Sequence, residues 1–373
     1  MVDAAESAEA KGGEKGRCLL PTFYLLPGSA RRINDPMHIS SLARRVAFIA
    51  VAATLLTTSL VAAGNPFVGR WALTIPGGGA GWLGVAEQDG QLKGSILWGG
   101  GSVVQVTSTK VEDETLVVTR VNESRQKDAA GKTVVKKTIE TITAKLDGES
   151  LKLTTSTADE DGKARGRAAD FTGRRIPPVP PTPDLTKVKF GAPISIFNGK
   201  DLSGWKTMGK DPNGWKVANG ILSNEAVQEP GRHKSYANIR TEREFEDFNL
   251  QLEFRVPKNG NSGVYLRGIY EIQVADSFGK GNDPHNCGAL YSRILPSENV
   301  SRPPGEWQTF DITLVNRHLT VIHNGTKTID NQPVLGCTGG ALWSDESRPG
   351  PIYLQGDHDS VDYRNMILRP VVK

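Results

Sequence analysis

The sequence predicts an all-β chain with two β domains, and three observations lead to this fold class. The 373 residues include 41 Gly and 22 Pro, as expected of a chain rich in strands and turns. Short runs alternate apolar and polar residues, which is the period of a strand with one buried face. A proline-rich stretch at 177–183, PPVPPTP, separates these runs into two groups. We therefore expect a small antiparallel β-barrel joined by a stiff linker to a jelly-roll β-sandwich.

Residues 1–63 are interpreted as a mis-called leader followed by a signal peptide that starts at Met37. The uncharged apolar run 46–63 directly follows two arginines and ends in small residues, as signal peptides do. We expect cleavage after Ala63 and export to the periplasm or the extracellular space. The alternative is an N-terminal membrane anchor, because the run is just long enough to span a bilayer.

Residues 65–175 predict the first domain, a barrel of about eight short strands. Turn dipeptides such as Asp89-Gly90 and Asp147-Gly148 lie between the runs, as hairpins require. The opening GRW and the closing FTGRR resemble those of calycin-type barrels. The segment has no His and no Cys, and its acids fall mainly in turns. We expect a stabilising, docking or carbohydrate-contacting module here, without a catalytic site.

The linker spans 176–186, and residues 187–373 predict the second domain. Many short strands in this segment fit a double-sheet jelly roll with a concave inner face. The run DITLVNRHLTVIHNG predicts a hairpin with Asn316-Arg317 at its tip.

Two neighbouring strands of this segment carry hydrogen-bonding side chains on one face. Successive side chains of a strand point to opposite faces, so Asn261, Tyr265 and Arg267 share a side. In the next run Glu271 and Gln273 share a side as well. Such a face suits a polyhydroxylated ligand better than a protein core. In PIYLQ the same parity turns Tyr353 and Gln355 away from the core.

Charge and motifs exclude several classes of function. The formal net charge is only +4, which argues against nucleic-acid binding. No Gly-rich phosphate loop or dinucleotide fingerprint occurs, so we do not expect a bound nicotinamide. The sequence contains no HxxxH or CxxC spacing, so no such motif predicts a metal site. A divalent ion stays an open alternative if loops bring together four side chains: Glu271, His285, Asp357 and His358.

Three cysteines occur, at positions 18, 287 and 337. Cys18 lies in the predicted leader. In an exported chain the remaining pair suggests a disulfide between Cys287 and Cys337. Two buried free thiols are the alternative.

The second segment carries a series of motifs in a fixed order: FNGKDLSGW, FNLQLEFR, NSGVYLR, YEIQVADS, GALY, PGEW, GPIYLQGDH and VDYRNMILRP. In these motifs residues 187–373 resemble the 3-keto-disaccharide hydrolase family, which has a concanavalin-A-like fold. The resemblance implies an enzyme that cleaves glycosides oxidised to a ketone at C3. A separate sugar 3-dehydrogenase or oxidase would supply the oxidised sugar. The segment departs from the family in DPHNCGALY and in the register of His358 relative to Gln355.

The resemblance also implies a mechanism. A keto group at C3 acidifies the C2 hydrogen, and the enolate left by its removal can expel the C1 substituent; water then adds. Glu271 is the expected base, with His358 or His285 as alternative base or proton donor, and Arg267 would stabilise the enolate. The other expected substrate contacts are Asn261, Tyr265, Gln273, Asp276, His285, Trp343, Gln355 and Asp357.

Two other classes of function stay open from the sequence. Jelly rolls also serve as non-catalytic carbohydrate-binding modules, since a fold does not by itself fix a function. A conventional glycosidase would need two carboxyl groups flanking the scissile bond. Each site residue also has a structural alternative: Arg267 and Glu271 as a cross-strand ion pair, and the two histidines as solvated loop residues.

Overall fold

The computed structural model describes residues 64–127, 131–229 and 232–372. The predicted leader, including Cys18 and the signal peptide, lies outside these residues. Among the described residues there is no α-helix, and no helix that is long and apolar enough to cross a membrane. The all-β prediction is therefore confirmed.

Nine strands form the N-terminal sheet. They are β1 (Gly69–Thr74), β2 (Ala80–Gln88), β3 (Gln91–Trp98), β4 (Gly100–Gln105), β5 (Ser108–Glu112), β6 (Thr115–Lys127), β7 (Thr133–Asp147), β8 (Ser150–Asp159) and β9 (Ala169–Arg175).

All neighbouring strands of the N-terminal sheet are antiparallel, in the order β4-β3-β2-β1-β9-β8-β7-β6-β5. Alternate side chains of seven of these strands share one core, which includes Trp71, Leu83, Ile96 and Leu151. The strands share this core because the alternation of apolar and polar residues in the sequence gives each strand one apolar face.

Nine strands form where about eight were predicted, because the run SVVQVTST, 102–109, which we expect from its sequence to be one strand, forms two. Its first half, in β4, pairs with β3, and its second half, in β5, pairs with β6. Residues 106 and 107 bridge the halves: the Val106 N–H donates to the Gly94 carbonyl and the Thr107 N–H to that of Thr119. One piece of chain thus connects both edges of the sheet, while closure into a calycin-like barrel stays a prediction.

The remaining strands form two further sheets. The eight-stranded sheet contains β10 (Ile194–Ser195), β12 (Trp215–Ala218), β13 (Ile221–Asn224), β15 (Phe248–Arg255), β18 (Gln308–Val315), β19 (His318–His323), β20 (Thr326–Pro333) and β22 (Val361–Pro370). The five-stranded sheet contains β11 (Trp205–Met208), β14 (Asn238–Thr241), β16 (Asn261–Leu266), β17 (Tyr270–Ala275) and β21 (Tyr353–Leu354), in the order β11-β14-β21-β16-β17.

These two sheets form the predicted β-sandwich around a common core. A continuous row across the five-stranded sheet, Ile239, Leu354, Val264 and Ile272, is fully buried against residues of the larger sheet. The hairpin β18–β19 turns at Asn316 and Arg317, both with positive φ, as the sequence predicted.

The N-terminal sheet packs directly on the sandwich. Trp82 and Leu97 of the N-terminal sheet belong to the sandwich core. The Ser344 hydroxyl accepts a hydrogen bond from the Gly81 N–H and donates one to the Leu73 carbonyl. Ser102 and Val103 of β4 bond to the loop that follows β17. The N-terminal sheet therefore contacts the loop after β17 directly.

Candidate functional site

The five-stranded sheet turns a polar row away from the sandwich core. The strand register places Lys206, Arg240, Tyr353, Tyr265 and Glu271 side by side, one residue from each strand. We call the face that carries this row the outer face. It exists because residues of opposite parity in the same strands are apolar and fill the core.

A second row on the outer face lies two residues away, along β16 and β17, from the row that contains Tyr265 and Glu271. Gly263 pairs with Gln273, whose side-chain amide donates to the Asn261 side-chain oxygen at 2.8 Å. The backbone N–H of Gln355 donates to the Gly263 carbonyl at 3.0 Å. The structure thus brings together four predicted residues, Asn261, Gln273, Gln355 and, in the adjoining row, Glu271.

Gly263 makes room for the Glu271 carboxyl group. A methyl group at position 263 would overlap that carboxyl. The glycine of the NSG motif is therefore required for space above the sheet, and the pairing of β16 with β17 runs through it without a bulge.

Glu271 is buried, with 4% of its surface exposed. Burial raises the pKa of its carboxyl group to about 8, because the charged form loses its hydration. A hydrogen bond with Tyr265 and the charge of His358 oppose this shift, and the charge of Asp357 adds to it. A carboxyl group whose pKa lies near neutral pH suits proton transfer.

Tyr265 connects Glu271 to the N-terminal sheet. Its ring stacks on Tyr353, with centroids 4.2 Å apart, and its hydroxyl donates to the Gly339 carbonyl at 2.7 Å. Gly339 packs against the backbone of Gly101 so closely that a side chain would not fit. The neighbouring Gly340 N–H donates to the Gly99 carbonyl at 3.2 Å. The turn between β3 and β4 therefore supports the tyrosine beside Glu271.

A cluster of titratable side chains lies at the rim of the outer face, in the loop that follows β21. Asp357 and His358 are half-buried, with 3.1 Å between a carboxylate oxygen and the imidazole Nδ1. The hydrogen bond with Asp357 raises the pKa of His358. His233, from the loop before β14, meets the His358 ring edge-on, with 5.5 Å between the centroids.

His285 lies near the opposite edge, beside β17. Its Nδ1 is 2.7 Å from Asp283, and its Nε2 is 2.8 Å from the Ser102 hydroxyl of the N-terminal sheet. Its ring meets Tyr291 edge-on at 5.0 Å. The Tyr291 N–H donates to the Glu271 carbonyl, so Tyr291 continues the polar row beyond β17.

Arg267 does not reach the site, contrary to prediction. It follows the end of β16 with a positive φ of 53°, so the alternation that relates Asn261 to Tyr265 does not extend to it. Its buried guanidinium donates to the carbonyl oxygens of Glu346 and Arg348. It therefore forms neither an enolate-binding group nor an ion pair with Glu271.

Trp343 lies away from the outer face. It lines a cavity of about 400 Å³ between β1 and the segment 342–347, and the Arg348 guanidinium stacks on its ring at 4.0 Å. Asp276 directly follows β17, where it accepts the Asn259 N–H and supports the turn before β16. Its contact with a sugar stays a prediction.

The predicted disulfide is wrong. Cys287 and Cys337 are both described, and both are buried free thiols within the sandwich core. Burial raises the pKa of each thiol to about 12. Such thiols behave as small apolar side chains.

Sequence analysis placed Tyr353 on the outer face but missed three other residues of this face and its rim: Arg240, His233 and Tyr291. The alternation of ANIRTE could have marked Arg240. His233 and Tyr291 come from loops, whose positions depend on tertiary contacts.

Residues 192–369 match the family model described as 3-keto-alpha-glucoside-1,2-lyase-like domain. A protein of Bacteroides thetaiotaomicron named 3-keto-disaccharide hydrolase is 29% identical over 165 residues, with 35% of this chain and 54% of that protein covered. The chain thus spans about half the length of this curated relative.

Two solved structures are similar to part of this chain. A candidate glycosyl hydrolase from Parabacteroides distasonis is 29% identical, with 52% of this chain and 93% of that one covered and a TM-score of 0.40. A second one from the same organism is 21% identical, with 48% and 94% covered and the same TM-score. With the motifs read from the sequence, the family match identifies residues 192–369 as a domain of the 3-keto-alpha-glucoside-1,2-lyase-like family.

Proposed function

We propose that this protein cleaves the glycosidic bond of 3-keto-glycosides or 3-keto-disaccharides on the outer face. The observation that carries the proposal is Glu271, a buried carboxyl group with a pKa of about 8 on the polar outer face of the edge strand β17. The family match and the curated relative support the substrate class.

In the proposed reaction the Glu271 carboxylate removes the C2 proton of the oxidised sugar. The electron pair of the C–H bond forms the C2–C3 double bond of an enolate. When the C3 carbonyl re-forms, a double bond forms between C1 and C2 and the C1–O bond breaks. The leaving oxygen takes the proton back from Glu271, and addition of water to the double bond completes a net hydrolysis.

The other groups of the outer face would bind the sugar. The His358 imidazole lies near enough to influence Glu271 electrostatically and can donate a hydrogen bond to the keto oxygen, the role that Arg267 cannot fill. Gln273, Gln355 and Asn261 would orient hydroxyl groups. Arg240, three strands from Glu271, would contact the far end of the substrate.

The decisive experiment compares matched glycosides. The full protein is incubated with a 3-keto glycoside and with its unoxidised parent, and release of the aglycone is followed. We expect release only from the oxidised compound. Binding of both without turnover would instead indicate a carbohydrate-binding module, and cleavage of the parent would indicate a conventional two-carboxylate glycosidase.

Two further proposals concern the setting of this reaction. The chain lacks a dinucleotide fingerprint, so a separate sugar 3-dehydrogenase would supply the keto sugar. We also propose export, with a mature protein that begins near Gly64. N-terminal sequencing of the protein recovered from the expressing cells would test the cleavage site.

A further inference from the structure

We propose that Asp283, Tyr291 and Ser102 form a subsite for the leaving-group sugar of a 3-keto-disaccharide, beside β17 at the edge of the outer face. Ser102 belongs to the N-terminal sheet, outside the residues 192–369 that match the family model. The inference rests on the proposed function for the direction in which the substrate lies. It gives the N-terminal sheet a part in selecting the substrate.

The segment 288–291 lies along β17, on the side away from β16. The Tyr291 N–H donates to the Glu271 carbonyl at 3.0 Å, and Leu290 forms a bridge with Ile272. Leu290 and Ile272 are both fully buried in the sandwich core. Side chains alternate along an extended segment, so the half-buried Tyr291 is turned to the outer face, directly beside Glu271.

His285 holds an ionised carboxylate next to Tyr291, whose ring it meets edge-on at 5.0 Å. One oxygen of Asp283 accepts the His285 backbone N–H at 2.8 Å and lies 2.7 Å from the imidazole Nδ1. These hydrogen bonds lower the pKa of Asp283, so it is ionised at neutral pH. Both bonds use the same oxygen of this exposed side chain, which leaves the second oxygen to accept hydroxyl groups of a sugar.

Ser102 connects the subsite to the N-terminal sheet. A carboxylate only accepts hydrogen bonds, so the proton of the neutral His285 ring lies on Nδ1 and its Nε2 is an acceptor. The Ser102 hydroxyl, 2.8 Å from Nε2, therefore donates to it and keeps its own oxygen for a ligand. The Val103 N–H donates to the Ser292 hydroxyl at 3.1 Å. Strand β4 thus fixes the loop at two points, and His285 is a positioning residue.

The proposed reaction directs the leaving group to this side of Glu271. C2 of a pyranose lies between C3 and C1. With the C2 proton at Glu271 and the C3 keto oxygen at His358, in the loop after β21, C1 points away from β21 and across β17. Neighbouring strands lie about 4.8 Å apart, close to the width of a sugar ring. The second sugar then lies over Tyr291, while the oxidised ring extends the other way, toward Arg240.

The test compares a 3-keto-disaccharide with the methyl glycoside of the same 3-keto sugar, which lacks the second ring. Calorimetry gives both dissociation constants for the full protein carrying Glu271→Gln, in which turnover does not consume the ligand. We expect tighter binding of the disaccharide. Adding Asp283→Asn should weaken that binding by about tenfold, and Ser102→Ala by about 2- to 10-fold, with no change for the methyl glycoside.

The matched control is Glu298→Gln, at an exposed acid later in the same connection between β17 and β18. It should leave both dissociation constants unchanged, and thermal unfolding checks that every variant is folded. Equal binding of the two ligands by the parent protein would overturn the subsite. Equal weakening of both ligands in Asp283→Asn and Ser102→Ala, or no weakening beyond the control, would overturn it as well.

The subsite and the proposed function can fail separately. Disaccharide binding that depends on Asp283 and Ser102, without cleavage of any 3-keto glycoside by the wild type, would retain the subsite and reject the function. Cleavage by the wild type, with the disaccharide preference unchanged in both variants, would retain the function and reject the subsite.

Discussion

Two buried carboxyl groups, Glu271 and Glu346, lie in different chemical environments. Both have pKa values raised by burial. Glu346 is surrounded by cations: an oxygen of its carboxylate lies 3.5 Å from the Arg317 guanidinium and 3.8 Å from that of Arg70, and the Tyr270 hydroxyl donates to it at 3.2 Å. Among the residues that the structure describes, no arginine or lysine acts comparably on Glu271, whose neighbours are Tyr265, His358 and Asp357.

This difference separates a structural acid from a reactive one. Glu346 joins Arg70 of the N-terminal sheet to Arg317, which also donates to the Pro177 carbonyl of the linker. Its charge is compensated, and it holds three parts of the chain together. Glu271 has no such compensation, so its proton is exchangeable near neutral pH. A perturbed carboxyl group without an ion-pair partner is the better candidate for chemistry.

The largest expected effect is the loss of turnover in Glu271→Gln. Removing the base should lower kcat for a 3-keto glycoside by about 10²- to 10⁴-fold. The melting temperature at pH 7 should stay within a few degrees of wild type, because a neutral amide replaces a largely protonated acid. Steady-state kinetics and thermal unfolding check both parts. Undiminished kcat would show that Glu271 is not the base.

Glu346→Gln should have the opposite outcome. It leaves Arg70 and Arg317 buried without their anion, and breaking a buried pair costs about 3–5 kcal/mol. Denaturant unfolding should show this loss, while the activity per folded molecule stays near that of the wild type. A stable variant would contradict the structural role, and a stable but inactive one would reverse the assignment of the two acids.

A smaller effect is expected from Gly263→Ala. The added methyl group would displace the Glu271 carboxyl, and a misplacement of about 1 Å can cost about 100-fold in rate. Gly281→Ala is the matched control, since position 281 has ordinary φ and open space around it. Equal kcat in both variants would show that the space above Gly263 does not matter to the reaction.

The smallest and most diagnostic effect concerns pH. If the Glu271 carboxylate is the base, kcat/KM should rise about tenfold per pH unit below its pKa of about 8 and level off above it. An acid role would give the opposite slope. Rates measured from pH 6 to 9, with Glu271→Gln as the blank for spontaneous breakdown of the keto sugar, distinguish the two.

Strand parity predicted much of this site because it depends only on local backbone geometry. Asn261, Tyr265, Glu271, Gln273 and Gln355 share the outer face as alternation requires. The same rule failed for Arg267. This residue lies in the turn after β16 and itself has a positive φ, which redirects its side chain. Parity holds within a strand and ends with it.

The sequence by itself determined the all-β class, the polar row and the position of Glu271 within it, because period and motif order are local properties of the chain. Tertiary structure decided which loops meet. It brought His233 to His358 and kept Cys287 and Cys337 as free thiols. It also placed the Gly99 carbonyl where it accepts the Gly340 N–H, next to the Gly339 carbonyl that Tyr265 bonds. These contacts join residues far apart in the chain, and their distances depend on how the sheets pack.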